Sequence, residues 1–162
     1  AAKKVRPKGS VIAFEPDTDS IQQIREHMEI NSVDNIILIE KAVWSTTKTL
    51  EFTNQHTSGS QIIDTKTDSS VKIQAVDLDS ELSKQNISTV DFIKMDVEGA
   101  EIEAVKGAAK TLKNNSVHLA IASYHIVDGK QTFAGVEKEL AKLGYEVKTL
   151  PLEQLLTFAH KK

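Results

Sequence analysis

Short apolar runs recur along the chain, and most are followed by a stretch in which apolar residues return every three or four positions. Val11-Ile12-Ala13-Phe14 runs into Glu15-Pro16-Asp17 and then into Ile21, Ile24 and Met28, a strand followed by an amphipathic helix. Residues 36–40, 90–95 and 117–123 read as further strands, and Val71-Lys72-Ile73-Gln74-Ala75-Val76 alternates in a strand-like way. After Asp96, the positions Ile102, Val105, Ala109 and Leu112 predict one helical face. Phe133, Val136, Leu140 and Leu143 predict another, which Gly144 ends. Strands alternating with helices predict parallel βαβ units.

Two stretches depart from the alternation. Residues 145–150 read as a strand, and residues 154–159 return as its antiparallel partner after Pro151, although Leu152, Leu155 and Leu156 suit a short helix equally well. Residues 45–70 are polar, with 12 Ser or Thr among 26 positions. Leu50, Phe52 and Ile62-Ile63 cannot build a core alone, so the segment is expected to be a hairpin around residues 49–53 and a loop through His56 and Ser58-Gly59-Ser60, lying over a crevice, with a solvated connector that touches no ligand as the equal alternative. The expected organisation is one domain, 1–162, with 45–70 as a polar insertion.

The candidate chemistry gathers where strands end. Asp91-Phe92-Ile93-Lys94-Met95-Asp96-Val97-Glu98-Gly99-Ala100-Glu101 takes an apolar strand into three acids around one glycine. In a doubly wound sheet the carboxyl ends of parallel strands face a crevice, which puts Asp96 and Glu98 at its lip while Gly99 allows a tight turn. Glu98 and Glu101 equally suit a structural role, satisfying the free amides at a helix N-terminus. Lys94 has a structural alternative too, as the ion-pair partner of a neighbouring acid. Glu15 ends the first strand, where a carboxylate can accept from both hydroxyls of a ribose. Asp17 has the simpler reading of a helix cap, and so do Asp77 and Asp79 in Val76-Asp77-Leu78-Asp79-Ser80.

Ala13-Phe14-Glu15-Pro16-Asp17, Lys41-Ala42-Val43, Val76-Asp77-Leu78-Asp79 and Lys94-Met95-Asp96-Val97-Glu98-Gly99-Ala100-Glu101 together resemble, in order and spacing, the FkbM-type family of S-adenosylmethionine-dependent methyltransferases. The resemblance runs from about Gly9 to the end. It implies an α/β, Rossmann-like class I methyltransferase fold: a mostly parallel sheet flanked by helices, with an antiparallel strand pair at the C-terminus. It further implies S-adenosylmethionine as cofactor, with Glu15 and Asp17 on its ribose side, Ala42 beside its adenine and Asp96 near the methyl donor. The strand and glycine-rich loop that open the family pattern have no counterpart here, and residues 1–8 read as the tail of the helix that comes after that loop.

Methyl transfer from a sulfonium expels a neutral thioether, so the enzyme must mainly align the acceptor and exclude water. A hydroxyl acceptor must also lose its proton. Asp96, Glu98 and His125, just beyond the 117–123 strand, are the expected catalytic residues. His125 has a structural alternative as a loop-closing imidazole, and Ser123 stands where the family pattern carries a Glu. His56 is a lone residue in a loop. Asp96 and Glu98 could offer oxygens to Mg²⁺, but spacing assigns no third ligand, so no metal site is expected.

Composition narrows the rest. Of 162 residues, 40% are hydrophobic and 27% charged, enough for a sizeable core. The net charge of -3 and the lack of a basic cluster disfavour nucleic acid. No apolar stretch approaches the roughly 20 residues that span a bilayer, no membrane association is expected, and the expected location is cytoplasmic. There is no cysteine for disulfides or a thiolate metal site. No glycine-rich dinucleotide fingerprint precedes Glu15, which disfavours nicotinamide chemistry. The functional expectation is O-methylation of a hydroxyl on a sugar or other small metabolite. A non-catalytic Rossmann-like binding or interaction module is the alternative, and the oligomeric state is left open.

Overall fold

The computed structural model describes residues 1–53, 62–63, 70–151 and 154–161. The first part of the chain forms α1 (Ala2–Val5), β1 (Val11–Phe14), α2 (Thr18–Ile30), β2 (Ile36–Ile39) and β3 (Ala42–Val43). Next come β4 (Lys48–Thr53), β5 (Ile62–Ile63), β6 (Ser70–Val76), α3 (Leu78–Lys84) and β7 (Phe92–Met95). Beyond them lie α4 (Glu101–Gly107), α5 (Ala109–Asn114), β8 (His118–Ala122), β9 (Ile126–Val127) and β10 (Lys130–Gln131). The chain ends with α6 (Phe133–Lys142), β11 (Glu146–Pro151) and β12 (Leu155–His160). It divides into two compact units, Ala1–Ala42 with Thr49–Gln74, and Val43–Lys48 with Ala75–Lys162.

In the first unit β1 and β2 pair in parallel from Val11↔Ile36 to Phe14↔Ile39, with α2 as the crossover between them. A parallel pair needs such a connection, and α2 buries Ile21 while Ile24 and Met28 are half-buried. The Asn35 amide donates to the carbonyls of Ala2 and Gly9, both at 3.0 Å, tying α1 and the loop after it to the start of β2. β4 pairs antiparallel with β5 through Glu51↔Ile63 and Phe52↔Ile62, and residues 49–53, where a hairpin was expected, lie within the single strand β4. Residues 54–61, with His56 and Ser58-Gly59-Ser60, and residues 64–69 lie outside the described residues.

The second unit holds a four-stranded sheet in the order β11-β12-β8-β7. β7 and β8 are parallel, from Phe92↔His118 to Met95↔Ile121. β12 runs antiparallel to β8 and to β11. The expected C-terminal strand pair is thus the observed one, and the helical alternative fails because residues 156–159 complete the ladder along β8. Inward residues of the sheet, Met95, Leu119, Ile121 and Ala159, share one core with Val105, Leu112, Val136 and Leu140 of the helices. Full burial of each such aliphatic side chain is worth about 1.5–3 kcal/mol.

One helical expectation is corrected. Residues 101–114 form two helices that part at Ala108, whose φ of -103° and ψ of 8° are not helical. Ala108 is buried while Ile102 and Ala109, expected on the buried face, are only half-buried. The break follows a point of close packing at Gly107, where a Cβ would stand 2.0 Å from the Trp44 carbonyl oxygen. The new helix has no side-chain cap of its own; instead Asp79 accepts from the backbone N–H groups of Lys110 at 2.8 Å and Thr111 at 2.7 Å. Asp77 caps α3 through Ser80 N at 2.8 Å, so the two aspartates serve different helices. At the end of α6, Gly144 takes φ 82°, with Gly144 N donating to Ala141 O and Tyr145 N to Leu140 O, a Schellman ending. No helix among the described residues is long and apolar enough to cross a membrane.

Candidate active site

β7 and β8 end side by side, and the segments leaving their carboxyl ends converge. After β7, Asp96 leads into a turn closed by Ala100 N donating to Val97 O at 3.1 Å. Its central residues Glu98 and Gly99 both take positive φ, 51° and 101°, the mirror-image type of tight turn. Glycine does this freely. For Glu98 the left-handed conformation costs about 1–2 kcal/mol, and it places the carboxylate 3.3 Å (Oε2) from His125 Nε2. Asp96 Oδ1 lies 3.7 Å from the same nitrogen, while its Oδ2 accepts from Lys94 Nζ at 3.2 Å, the ion pair considered for Lys94.

After β8 the chain passes Ser123 and Tyr124 to His125 and then enters the β9–β10 hairpin. Asp128 and Gly129 form its tip with φ 51° and 72°. Thr132 N donates to His125 O at 2.9 Å, closing the hairpin at its base and fixing the histidine backbone. Ser123, fully buried, hydrogen-bonds to Thr157 Oγ1 at 2.8 Å, and Thr157 to Thr149 at 2.7 Å. Position 123 is therefore a hydroxyl link between β8, β12 and β11, turned away from acid chemistry.

The carboxylate that reaches the far side of His125 belongs to Glu101, whose side chain is 0% exposed. Its Oε1 accepts from Gly99 N at 3.1 Å and Val97 N at 3.4 Å, and stands 2.8 Å from His125 Nδ1. One oxygen of Glu101 thus both satisfies turn amides and faces the imidazole. Glu101 Oε2 and both ring nitrogens of His125 are buried without a hydrogen-bond partner, since the close contacts to the ring lie off hydrogen-bonding geometry. Tyr124 was not foreseen. Its ring lies against the imidazole with centroids 4.2 Å apart, and partial burial, then the charges of Asp96 and Glu98, push its hydroxyl pKa up, so the phenol stays a proton donor at neutral pH. The only sequence signal for it was its position beside His125.

The other expected site residues belong to the first unit. Glu15 directly follows β1, where burial, the largest influence, raises its pKa against the opposing hydrogen bond from Asp17 N at 3.0 Å. Asp17 caps α2, accepting from Ser20 N at 2.9 Å. Ala42 opens β3 and is buried.

A parallel strand pair, acids and an imidazole at its carboxyl end, and a reversed C-terminal strand inserted beside β8 together describe the Rossmann-like class I methyltransferase fold. Residues 1–147 match the model of the Methyltransferase FkbM domain, and the chain belongs to that family. It is similar to the 2-O-methyltransferase NoeI of Sinorhizobium fredii, at 24% identity over 78% of this chain and 59% of that protein. It is also similar to the hexuronic acid methyltransferase AglP of Haloferax volcanii, at 26% identity over 87% of this chain and 55% of that one. The chain thus spans a little over half the length of these relatives. Among solved structures, methyltransferase FkbM from Methylobacillus flagellatus superposes with a TM-score of 0.64 at 19% identity, over 93% of this chain and 36% of that one, a likeness of fold.

Proposed function

We propose that this chain belongs to an S-adenosylmethionine-dependent O-methyltransferase acting on a sugar hydroxyl. The observation that carries the reading is the convergence of Asp96, Glu98 and His125 at the carboxyl ends of two parallel strands, where α/β enzymes hold their ligands. The names of two relatives supply the chemistry, one an O-methyltransferase and the other a methyltransferase of a hexuronic acid, which is a sugar acid.

In this reading the acceptor oxygen attacks the sulfonium methyl in line, the C–S bond breaks with its electron pair going to sulfur, and the hydroxyl proton passes to the protein. Asp96 and Glu98 are 34% and 33% exposed, open to an acceptor, whereas His125 is 9% exposed and held between Glu101 and the two acids. The carboxylates take the proton, and His125 stands beside them with its other ring nitrogen facing Glu101. Ile126 and Val127, both exposed, border the site through Val127, whose Cγ2 would lie 3.0 Å from a Cβ on Gly99. They offer an apolar edge for the C–H face of a sugar ring. Glu15, assisted by Asp17 and the backbone at Ala42, is assigned the nucleoside part of the cofactor.

Calorimetric titration of S-adenosylhomocysteine into the polypeptide as encoded in the cell tests the cofactor. The expected result is one site per chain, weakened at least about tenfold by Glu15→Ala, the order of a lost charge-assisted hydrogen-bond pair. No binding by the wild type, or equal binding by the variant, would overturn the assignment in favour of a non-catalytic module.

A further inference from the structure

We propose that Asp96 Oδ1, Glu98 Oε2 and His125 Nε2 bind a divalent cation, with Glu101 as the carboxylate behind the histidine. The three ligand atoms lie within 4.8 Å of one another. His125 Nε2 is 3.3 Å from the Glu98 oxygen and 3.7 Å from the Asp96 oxygen. Ligands at right angles about 2.1–2.2 Å from a cation are themselves about 3.0 Å apart, so the two distances to Nε2 are already close to a coordinated set, and the two carboxylate oxygens, within 4.8 Å of each other, would draw together around an ion.

The surroundings point to an ion independently of that spacing. Nε2 of a side chain only 9% exposed is buried, aims at two carboxylate oxygens and makes no hydrogen bond. On the opposite side of the ring, Nδ1 meets a fully buried carboxylate at 2.8 Å. A proton on Nδ1 leaves the Nε2 lone pair directed at Asp96 and Glu98, where lone pairs oppose lone pairs until a positive charge stands among them. Three carboxylates, Asp96, Glu98 and Glu101, gather around the imidazole with Lys94 Nζ on Asp96 Oδ2 at 3.2 Å as the nearby cation, and burying Glu101 in such company is costly unless further compensated. A small turn of the ring that brings the 2.8 Å Nδ1–Glu101 contact into hydrogen-bonding geometry would complete the carboxylate–histidine–metal arrangement that fixes a ligand's tautomer and orientation.

One imidazole with two carboxylates suits Mn²⁺ or Zn²⁺ better than Mg²⁺, which favours an all-oxygen shell. The remaining positions of the ion are open for an acceptor with adjacent oxygens, such as a vicinal diol or a hydroxyl beside a carboxylate. This deepens the proposed function: the cation holds the acceptor oxygen and favours its deprotonated form, and the proton leaves to the second oxygen of Glu98 or to water.

Binding is testable without turnover, by the loss of the free Mn²⁺ paramagnetic-resonance signal on adding the full-length protein, with Zn²⁺ as competitor. One Mn²⁺ per chain is expected, at least about tenfold weaker in His125→Gln and in Glu98→Gln. Glu101→Gln, which keeps the shape but removes the charge behind the ring, should weaken it about 10- to 100-fold with the circular dichroism unchanged. The absence of a site for either ion up to millimolar concentration, or unchanged affinity in both His125→Gln and Glu98→Gln, would overturn the inference. Undiminished methyl transfer in the presence of a strong chelator would overturn it as well, while leaving the methyltransferase reading standing.

Discussion

Asp79 holds together two helices thirty residues apart, and removing its carboxylate should cost more than an ordinary surface change. It accepts from Lys110 N at 2.8 Å, Thr111 N at 2.7 Å and Thr111 Oγ1 at 2.7 Å, at the start of a helix with no side-chain cap of its own. Losing an N-cap costs about 0.5–2 kcal/mol, and losing a negative charge at a helix N-terminus a further 0.3–1 kcal/mol. The Thr111 hydroxyl adds roughly 0.5–1.5 kcal/mol. Because Asp79 is half-buried, water replaces part of what is lost, and Asp79→Ala is expected to destabilise by about 2–3 kcal/mol. Asp79→Asn, which keeps one acceptor, should cost about half as much. Urea denaturation followed by the fluorescence of Trp44, the only tryptophan, reads the relevant unit directly, since Trp44 N bonds Val76 O and its carbonyl packs on Gly107. The midpoint should fall with an unchanged slope, by roughly 4–12 °C if heat is used instead. An Asp79→Ala effect below about 0.5 kcal/mol would refute the idea that this contact starts α5 anew at Ala109.

The turn after β7 and the end of β1 give two further expected outcomes. Gly99→Ala places a Cβ at φ 101°, 3.0 Å from Val127 Cγ2, and should cost about 1–3 kcal/mol in denaturation while displacing Glu98; a stability within error of wild type would show that the turn relaxes freely. Glu15→Gln should raise the melting midpoint at neutral pH. Burial raises the Glu15 pKa above its ordinary 4.5, so the folded state holds that proton more tightly than the unfolded one. Its penalty is absent below pH 4.5 and grows as pH rises through the raised value, and the gain of the variant should appear over the same range. Equal gain at pH 3 and pH 7 would contradict this.

The elements were legible where a local pattern decides them. Val11–Phe14 is a strand with the expected ends, and Phe133 to Gly144 is the expected helix with its glycine stop, because alternation and Schellman chemistry are set by neighbouring residues. The break at Ala108 was not legible, since it depends on the Trp44 carbonyl and on Asp79, both far away in sequence. The site divides along the same line. Asp96, Glu98 and His125 could be named from strand ends, but the buried contact of Glu101 with His125 Nδ1 and the ring of Tyr124 against it exist only once β7 and β8 lie side by side. The third ligand beside Asp96 and Glu98 was out of reach of spacing for that reason, being a histidine 27 residues beyond Glu98.

The central claim is that Asp96 belongs to a site that methylates a sugar hydroxyl. It is tested most directly by incubating the full-length protein with methyl-labelled S-adenosylmethionine and a panel of uronic acid glycosides and neutral oligosaccharides, and tracing label into the sugar. The account predicts an O-methyl product with the wild type and at least about a hundredfold less with Asp96→Asn, the usual scale for removing a charged group that acts on the reacting hydroxyl. Label transferred equally by Asp96→Asn, or carried only to a nitrogen or carbon acceptor, would contradict it.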